Sequence, residues 1–167
     1  MQCRRSLLVL AACCLQMPTS FAQHAHEHGV AHLQIAVEGH TVEASFDLPG
    51  HDLLGFEHAP VSDAEKAAVA AAGERLKQAA EILRLSPAAQ CTVADATFET
   101  ETPEAGAEHV DFVARYRFSC AEPAALAGFT TGLFKAFPSL GELAVQSQTP
   151  QGVREQELTA SQPEYRF

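Results

Sequence analysis

Histidine, glutamate and aspartate gather on three short segments of this chain, and these are the ligand types of a borderline divalent metal. The first segment, Gln23–His32, holds His24, His26, His28 and His32, four of the eight histidines. Neutral imidazole binds zinc-type ions through either ring nitrogen. Residues 24, 26 and 28 alternate, so an extended chain throws their side chains to one side. A strand beginning near His28 puts His32 there too. The second segment is Glu57-His58, and the third is His109 with Asp111, two apart and so on one strand face. Each has a plainer reading. A solvated histidine-rich terminus holds metal loosely, and a polar pair inside the apolar loop Asp52–Pro60 can be satisfied by hydrogen bonds, since a buried unpaired charge is costly. The spacing alone does not bring the three segments together in space.

Catalytic patterns are weaker. His28-Gly29-Val30-Ala31-His32 has the histidine spacing of a zinc protease but lacks the glutamate after the first histidine. Ser45 and Ser62 sit in no nucleophile elbow, and no Gly-rich phosphate loop occurs. Glu57 acting as a base on zinc-bound water is the one enzymatic arrangement left. The expectation is a protein that is not an enzyme.

Those ligand types need a frame, and the start of the chain says where it is built. Met1–Ala22 carries Arg4 and Arg5, an apolar run Leu7–Leu15 and then Ser20-Phe21-Ala22, the three parts of a secretory signal. The apolar run is too short to span a bilayer. A competing processing site, Leu10-Ala11-Ala12-Cys13, would leave a lipidated Cys13. Cleavage after Ala22 leaves 145 of the 167 residues, 23–167, enough for a single domain. It removes two arginines and no acids, moving the net charge from −10 to −12. That charge disfavours nucleic-acid backbones and anionic membrane surfaces; it favours cations, or simply solubility. Of five cysteines, Cys91 and Cys120 remain, and an even pair in an exported protein reads as a disulfide rather than a thiolate metal site.

Periodicity supplies the elements. Leu33, Ile35 and Val37 alternate with polar neighbours, as do Val42, Ala44, Phe46 and Leu48 after Glu38-Gly39-His40, which predicts a hairpin with one apolar face. Ser62-Asp63-Ala64-Glu65 is a capping box that opens a helix to about Leu85, with Val69, Leu76, Ala80 and Leu83 as its buried stripe. Cys91–Thr102 and Glu108–Cys120 form a second hairpin centred on Ala105-Gly106, which sets Cys91 opposite Cys120 and Thr102 and Thr100 opposite His109 and Asp111. Its inward set is Val110, Phe112, Ala114, Tyr116, Phe118 and Cys120. Pro123 opens a second helix that ends at Phe137-Pro138. Leu140–Gln148 and Gly152–Thr159 make a third hairpin, and Gln162–Phe167 is a tail. The expected fold is α+β, in the order ββαββαββ, an antiparallel sheet of three hairpins with two helices on one face.

Several stretches resemble the ZrgA-type periplasmic zinc-uptake proteins. They are His26–Gly39 (H-E-H-G-V-A-H-L-Q-I-A-V-E-G), Asp52–Pro60 (D-L-L-G-F-E-H-A-P), Ala64-Glu65-Lys66, Glu108–Phe112, Tyr116–Pro123 and Leu133–Pro138. The resemblance covers essentially the whole exported chain. It implies a bacterial periplasmic protein that binds zinc and works with an ABC-type zinc importer. The family's blocks match His26-Glu27-His28-Gly29, Gly55-Phe56-Glu57-His58, and Glu108-His109 with Asp111. Members often carry a long His/Asp-rich insertion before the last block; here Thr102–Ala107 is short and has no histidine. The expected ligands are His28, His58 and His109, with Asp111 or Glu57 completing or orienting the site and His24, His26 and His32 extending it or delivering Zn2+. The alternative is a periplasmic partner-binding protein whose histidines only buffer metal or sense pH.

Overall fold

The computed structural model describes residues 29–101 and 109–167. The alternation of the first strands is realised directly. β1 (Val30–Glu38) and β2 (Thr41–Pro49) pair antiparallel from His32 opposite Asp47 to Glu38 opposite Thr41, around a turn in which Gly39 has φ +55°. β4 (Cys91–Thr100) pairs with β5 (Asp111–Cys120), and β7 (Glu142–Thr149) with β8 (Gly152–Thr159). These strands form one six-stranded sheet in the order β4-β5-β2-β1-β7-β8, in which β1 and β7 run parallel. The apolar set of β5, Val110 with Phe112, Ala114, Tyr116, Phe118 and Cys120, is at most 4 % exposed. The sheet's other face is polar and hollowed, a concavity of about 440 Å³ lined by Gln34, Glu43, Arg115, Arg117 and Gln146 among others.

Both expected long helices are shorter than their apolar content suggests. The capping box opens α2 (Asp63–Leu76): the Ser62 hydroxyl accepts from the Glu65 amide while the Glu65 carboxylate accepts from the Ser62 amide. The helix stops at Leu76 rather than Leu85. A single turn, α3 (Ala79–Ile82), follows, and then a strand, β3 (Leu83–Leu85). Leu83, Arg84 and Leu85 alternate, and the Ser86-Pro87 step disfavours helix. Of the expected stripe, Leu76 and Leu83 are buried, Val69 is half-buried and Ala80 is exposed. The second helix is also broken. Pro123–Ala125 is one 3-10 turn, Gly128–Thr131 is a strand and only Leu133–Ala136 is helical. Paired threonines favour the extended chain, and at Gly128 a Cβ would collide with the Tyr165 carbonyl. The strands Gly128–Thr131 (β6) and Glu164–Arg166 (β9) complete a second sheet, β3-β6-β9. Within the expected tail Gln162–Phe167, Glu164–Arg166 is thus a strand, held by the buried Tyr165 ring stacked at 5.1 Å on Phe129 and by its hydroxyl 2.6 Å from Ser147 Oγ.

The architecture among the described residues is therefore α+β, with nine strands in two sheets and four helices, instead of ββαββαββ. One continuous core joins the inner face of the large sheet to α2, α3, Leu133–Ala136 (α4) and the small sheet. Among these residues no helix is long and apolar enough to cross a membrane.

The disulfide Cys91–Cys120 is formed, and the two cysteines are register partners. Beyond Val93 the ladder shifts by one residue at a bulge, so Thr100 lies opposite Phe112. Asp111 is consequently not opposite Thr100; its carbonyl accepts the Glu101 amide. A bulge inserts one unpaired residue and moves every later pairing by one. Thr102 falls outside the described residues.

Candidate metal-handling site

Strand β2 ends at Pro49, and the chain turns into a five-residue helix, α1 (Gly50–Leu54), closed by Gly55 in the left-handed conformation. The segment from Gly50 to Glu57 is clipped at both ends to one residue. The Gly50 amide donates to the Val110 carbonyl at 3.1 Å, and the Val110 amide donates to the Glu57 carbonyl at 2.6 Å. Only glycine fits at the first contact, because a Cβ on Gly50 would overlap the Val110 carbonyl oxygen. Two main-chain bonds to Val110 bring its neighbours His109 and Asp111 against the loop that carries Glu57 and His58.

The side chains follow. His109 Nδ1 lies 3.0 Å from Glu57 Oε2, both groups partly exposed. With Nδ1 donating to the carboxylate, Nε2 keeps its lone pair as a possible ligand atom. This is the carboxylate–histidine arrangement that orients imidazole for a metal. His58 goes elsewhere. Its ring stacks on Phe56 at 5.1 Å, its Nδ1 donates to the Ala59 carbonyl at 3.0 Å, and its Nε2 stands 3.7 Å from Glu65 Oε1. Two ligand atoms that far apart can both lie ~2.0–2.2 Å from one ion. Glu65 is also occupied: its Oε2 accepts the Val61 and Ser62 amides, each at 2.8 Å. Those bonds, the Ser62 amide first, hold its carboxyl below the ordinary carboxylate range.

A third segment reaches the same helix. Asp52, in the first turn of α1, is 5 % exposed, and its Oδ2 accepts the Gly29 amide at 2.8 Å. Its Oδ1 lies 3.7 Å from His51 Nδ1. Gly29, at φ +85°, accepts the amides of Gly141 and Glu142 on its carbonyl at 3.0 and 2.8 Å. The residue that follows the His24–His28 run is thereby pinned to α1 and to the start of β7.

The sequence-predicted ligands distribute as follows. Glu57 and His109 meet; His58 turns to the cap of α2. Asp111 is half-buried at the start of β5, in register with Pro49. His32 is half-buried on the polar sheet face, with Asp47 and Ala144 as its register partners. His24, His26 and His28 lie outside the described residues. Among the described residues no three His, Cys, Asp or Glu side chains stand close enough to hold one metal ion together, and both cysteines are in the disulfide. Sequence reasoning missed Asp52, Gly50 and the second use of Glu65. A lone acid in an otherwise apolar turn was the available signal for Asp52, because burial obliges it to find a donor.

No curated protein matches the chain. A family model does, over residues 25–167, and its description is ZrgA family zinc uptake protein.

Proposed function

The chain belongs to the ZrgA family of zinc uptake proteins, and from that premise we propose that it is a periplasmic Zn2+ carrier that captures the ion and assists its uptake through an ABC-type importer. Zinc is the cargo, not a resident cofactor, and no reaction is catalysed. The observation that carries this reading at the level of residues is the Glu57–His109 contact of 3.0 Å. It leaves one imidazole nitrogen oriented and available in a chain whose described cysteines are not.

Nitrogen and carboxylate oxygen are ligands suited to zinc and neighbouring borderline ions. His109 supplies Nε2, with Glu57 fixing its ring. His58 Nε2 and Glu65 Oε1 offer a second pair. A tight zinc site takes three or four ligands, so either pair needs completing. The histidines that precede Gly29 are the supply: His28 first, with His24 and His26 extending it. His32 and Asp111, on the sheet beside this end of the molecule, are further donors during loading or release. A site assembled partly from the leading segment also suits a carrier, since exchanging one ligand at a time lets the ion pass to a partner without entering water.

The test is isothermal titration of zinc into the exported chain and into His58→Ala/His109→Ala. The wild-type chain binds at least one ion per molecule tightly and the double variant binds it far more weakly. Wild-type affinity in the double variant ends the proposal.

A further inference from the structure

We infer that the outer edge of β8 is a strand-addition site for an extended, basic segment of a partner protein. The segment bonds to the main chain of residues 153–157 and sets lysine or arginine against Glu155 and Glu157. This surface is separate from zinc handling, since β8 carries no histidine.

The six-stranded sheet has two edges, β4 and β8, and they are built differently. At β4 the ladder is broken by the bulge after Val93, and a bulge twists an edge away from further pairing. β8 pairs with β7 in one unbroken register from Gly152 to Thr159, so its outer edge is regular. The edge strands of the small sheet, β3 and β9, have three residues each, too few to template a partner.

A regular edge turns the N–H and C=O of every second residue outward. Thr159 fixes which residues these are. Its amide and carbonyl are exchanged with Gln162, on the side away from β7. Val153, Glu155 and Glu157 alternate in step with Thr159 and so turn theirs outward too. Among the described residues no strand lies on that side. The residues from Gly152 to Glu157 are all exposed, and Val153, at 63 %, gains an apolar neighbour only when a strand is added.

Side chains decide the occupant. Val153, Glu155 and Glu157 share the polar face of the sheet, where Gln146 donates to Glu155 at 2.9 Å. Arg154 lies on the opposite face. Residues directly opposed in antiparallel strands share a face. A second copy of the chain therefore fits badly. In the registers that pair most of β8 with itself, a glutamate meets a glutamate or Arg154 meets Arg154, and opposed like charges destabilise a ladder. The net charge of −10 adds repulsion at longer range. A foreign strand can instead place cations opposite Glu157 and Glu155, an acid opposite Arg154 and an apolar residue opposite Val153. Main-chain bonds then give the affinity and the charges the selectivity, as in other strand additions.

The probe is a synthetic peptide, blocked at both ends, with the core Lys-Thr-Lys-Glu-Val. Running antiparallel, it lies opposite Glu157, Gln156, Glu155, Arg154 and Val153 in that order. It is titrated into isotope-labelled residues 23–167 and followed by amide NMR shifts. Saturable one-to-one binding is expected, with the shifts concentrated on β8 and β7. N-methylation of the second lysine, whose amide faces the edge, removes a main-chain bond and weakens binding ~10-fold. Glu155→Lys/Glu157→Lys weakens it ~10-fold as well, by reversing both charge pairs. Glu155→Pro takes away an outward N–H without touching the bonds to β7 and has the same effect; if it does not fold, the charge-reversal variant and the methylated peptide carry the test. Zinc affinity is unchanged in these variants. No binding to the wild-type chain, binding that survives N-methylation, shifts centred on another element, or self-association of the chain through β8 overturns the inference. A wild-type chain that binds the peptide and no zinc overturns the carrier reading alone.

Discussion

Glu57 and His109 form a contact of 3.0 Å between the loop after α1 and the residue that precedes Val110. It exists because Val110 is bonded through its amide to Glu57 and through its carbonyl to Gly50. The two side chains act as a unit in which the carboxylate orients and the imidazole binds. Glu57→Gln is therefore expected to weaken zinc affinity ~10–100-fold, and His109→Ala to weaken it at least as much. The double variant loses little beyond His109→Ala alone. Chelator competition measures all three; additive losses would mean that Glu57 is an independent ligand.

Gly50 is a packing requirement of the same clip. Gly50→Ala places a methyl group where the Val110 carbonyl oxygen sits, so the loop must move. The expected cost is ~1–3 kcal/mol of stability, read as a lower urea midpoint, together with weaker zinc binding. Unchanged stability would show that the loop does not approach Val110 so closely.

The cap of α2 has a predictable pH response. The Glu65 carboxyl is depressed below its usual 4.5, chiefly by the Ser62 amide and then by that of Val61. A depressed folded-state pKa contributes stability above the unfolded value, and that stability is lost as pH falls through the folded one. Urea midpoints of wild type and Glu65→Gln should differ at pH 7 and draw together as pH falls below 4.5 and through the depressed folded value. A gap that persists into strong acid contradicts the assignment. Ser62→Ala, which removes the other half of the box, should cost ~1 kcal/mol at pH 7.

Cys91 and Cys120 are register partners 29 residues apart. Replacing both with serine should lower stability by ~3–4 kcal/mol in the chain-entropy view, measured by urea unfolding, and leave zinc affinity unchanged. A loss of zinc affinity without refolding defects would return thiolates to the ligand set.

The hairpins and the disulfide were legible because period-2 alternation and turn glycines are local signals. Val42, Ala44, Phe46 and Leu48 could bury only one way. The helices were not, because apolar content alone does not separate a helix from a buried strand. Leu83 and Leu85 pack from β3, and Phe129 packs from β6, a strand whose pairing with Tyr165 depends on the last residues of the chain. The bulge after Val93 was also invisible, and it displaced Asp111 from Thr100. At the site, ligand types were readable but their meeting was not. Glu57 finds His109 only through main-chain bonds to Val110, whereas His58, its neighbour in sequence, turns to Glu65. Asp52 went unnoticed because a single acid in an apolar turn carries no spacing.

X-ray absorption at the zinc edge reads the ligands themselves. For residues 23–167 carrying one equivalent of zinc, the expected first shell is nitrogen and oxygen at ~2.0–2.2 Å with at least two imidazoles and no sulfur, and His109→Ala loses one imidazole. A sulfur shell at ~2.3 Å, or a spectrum that His109→Ala leaves unchanged, contradicts a carrier built on histidine.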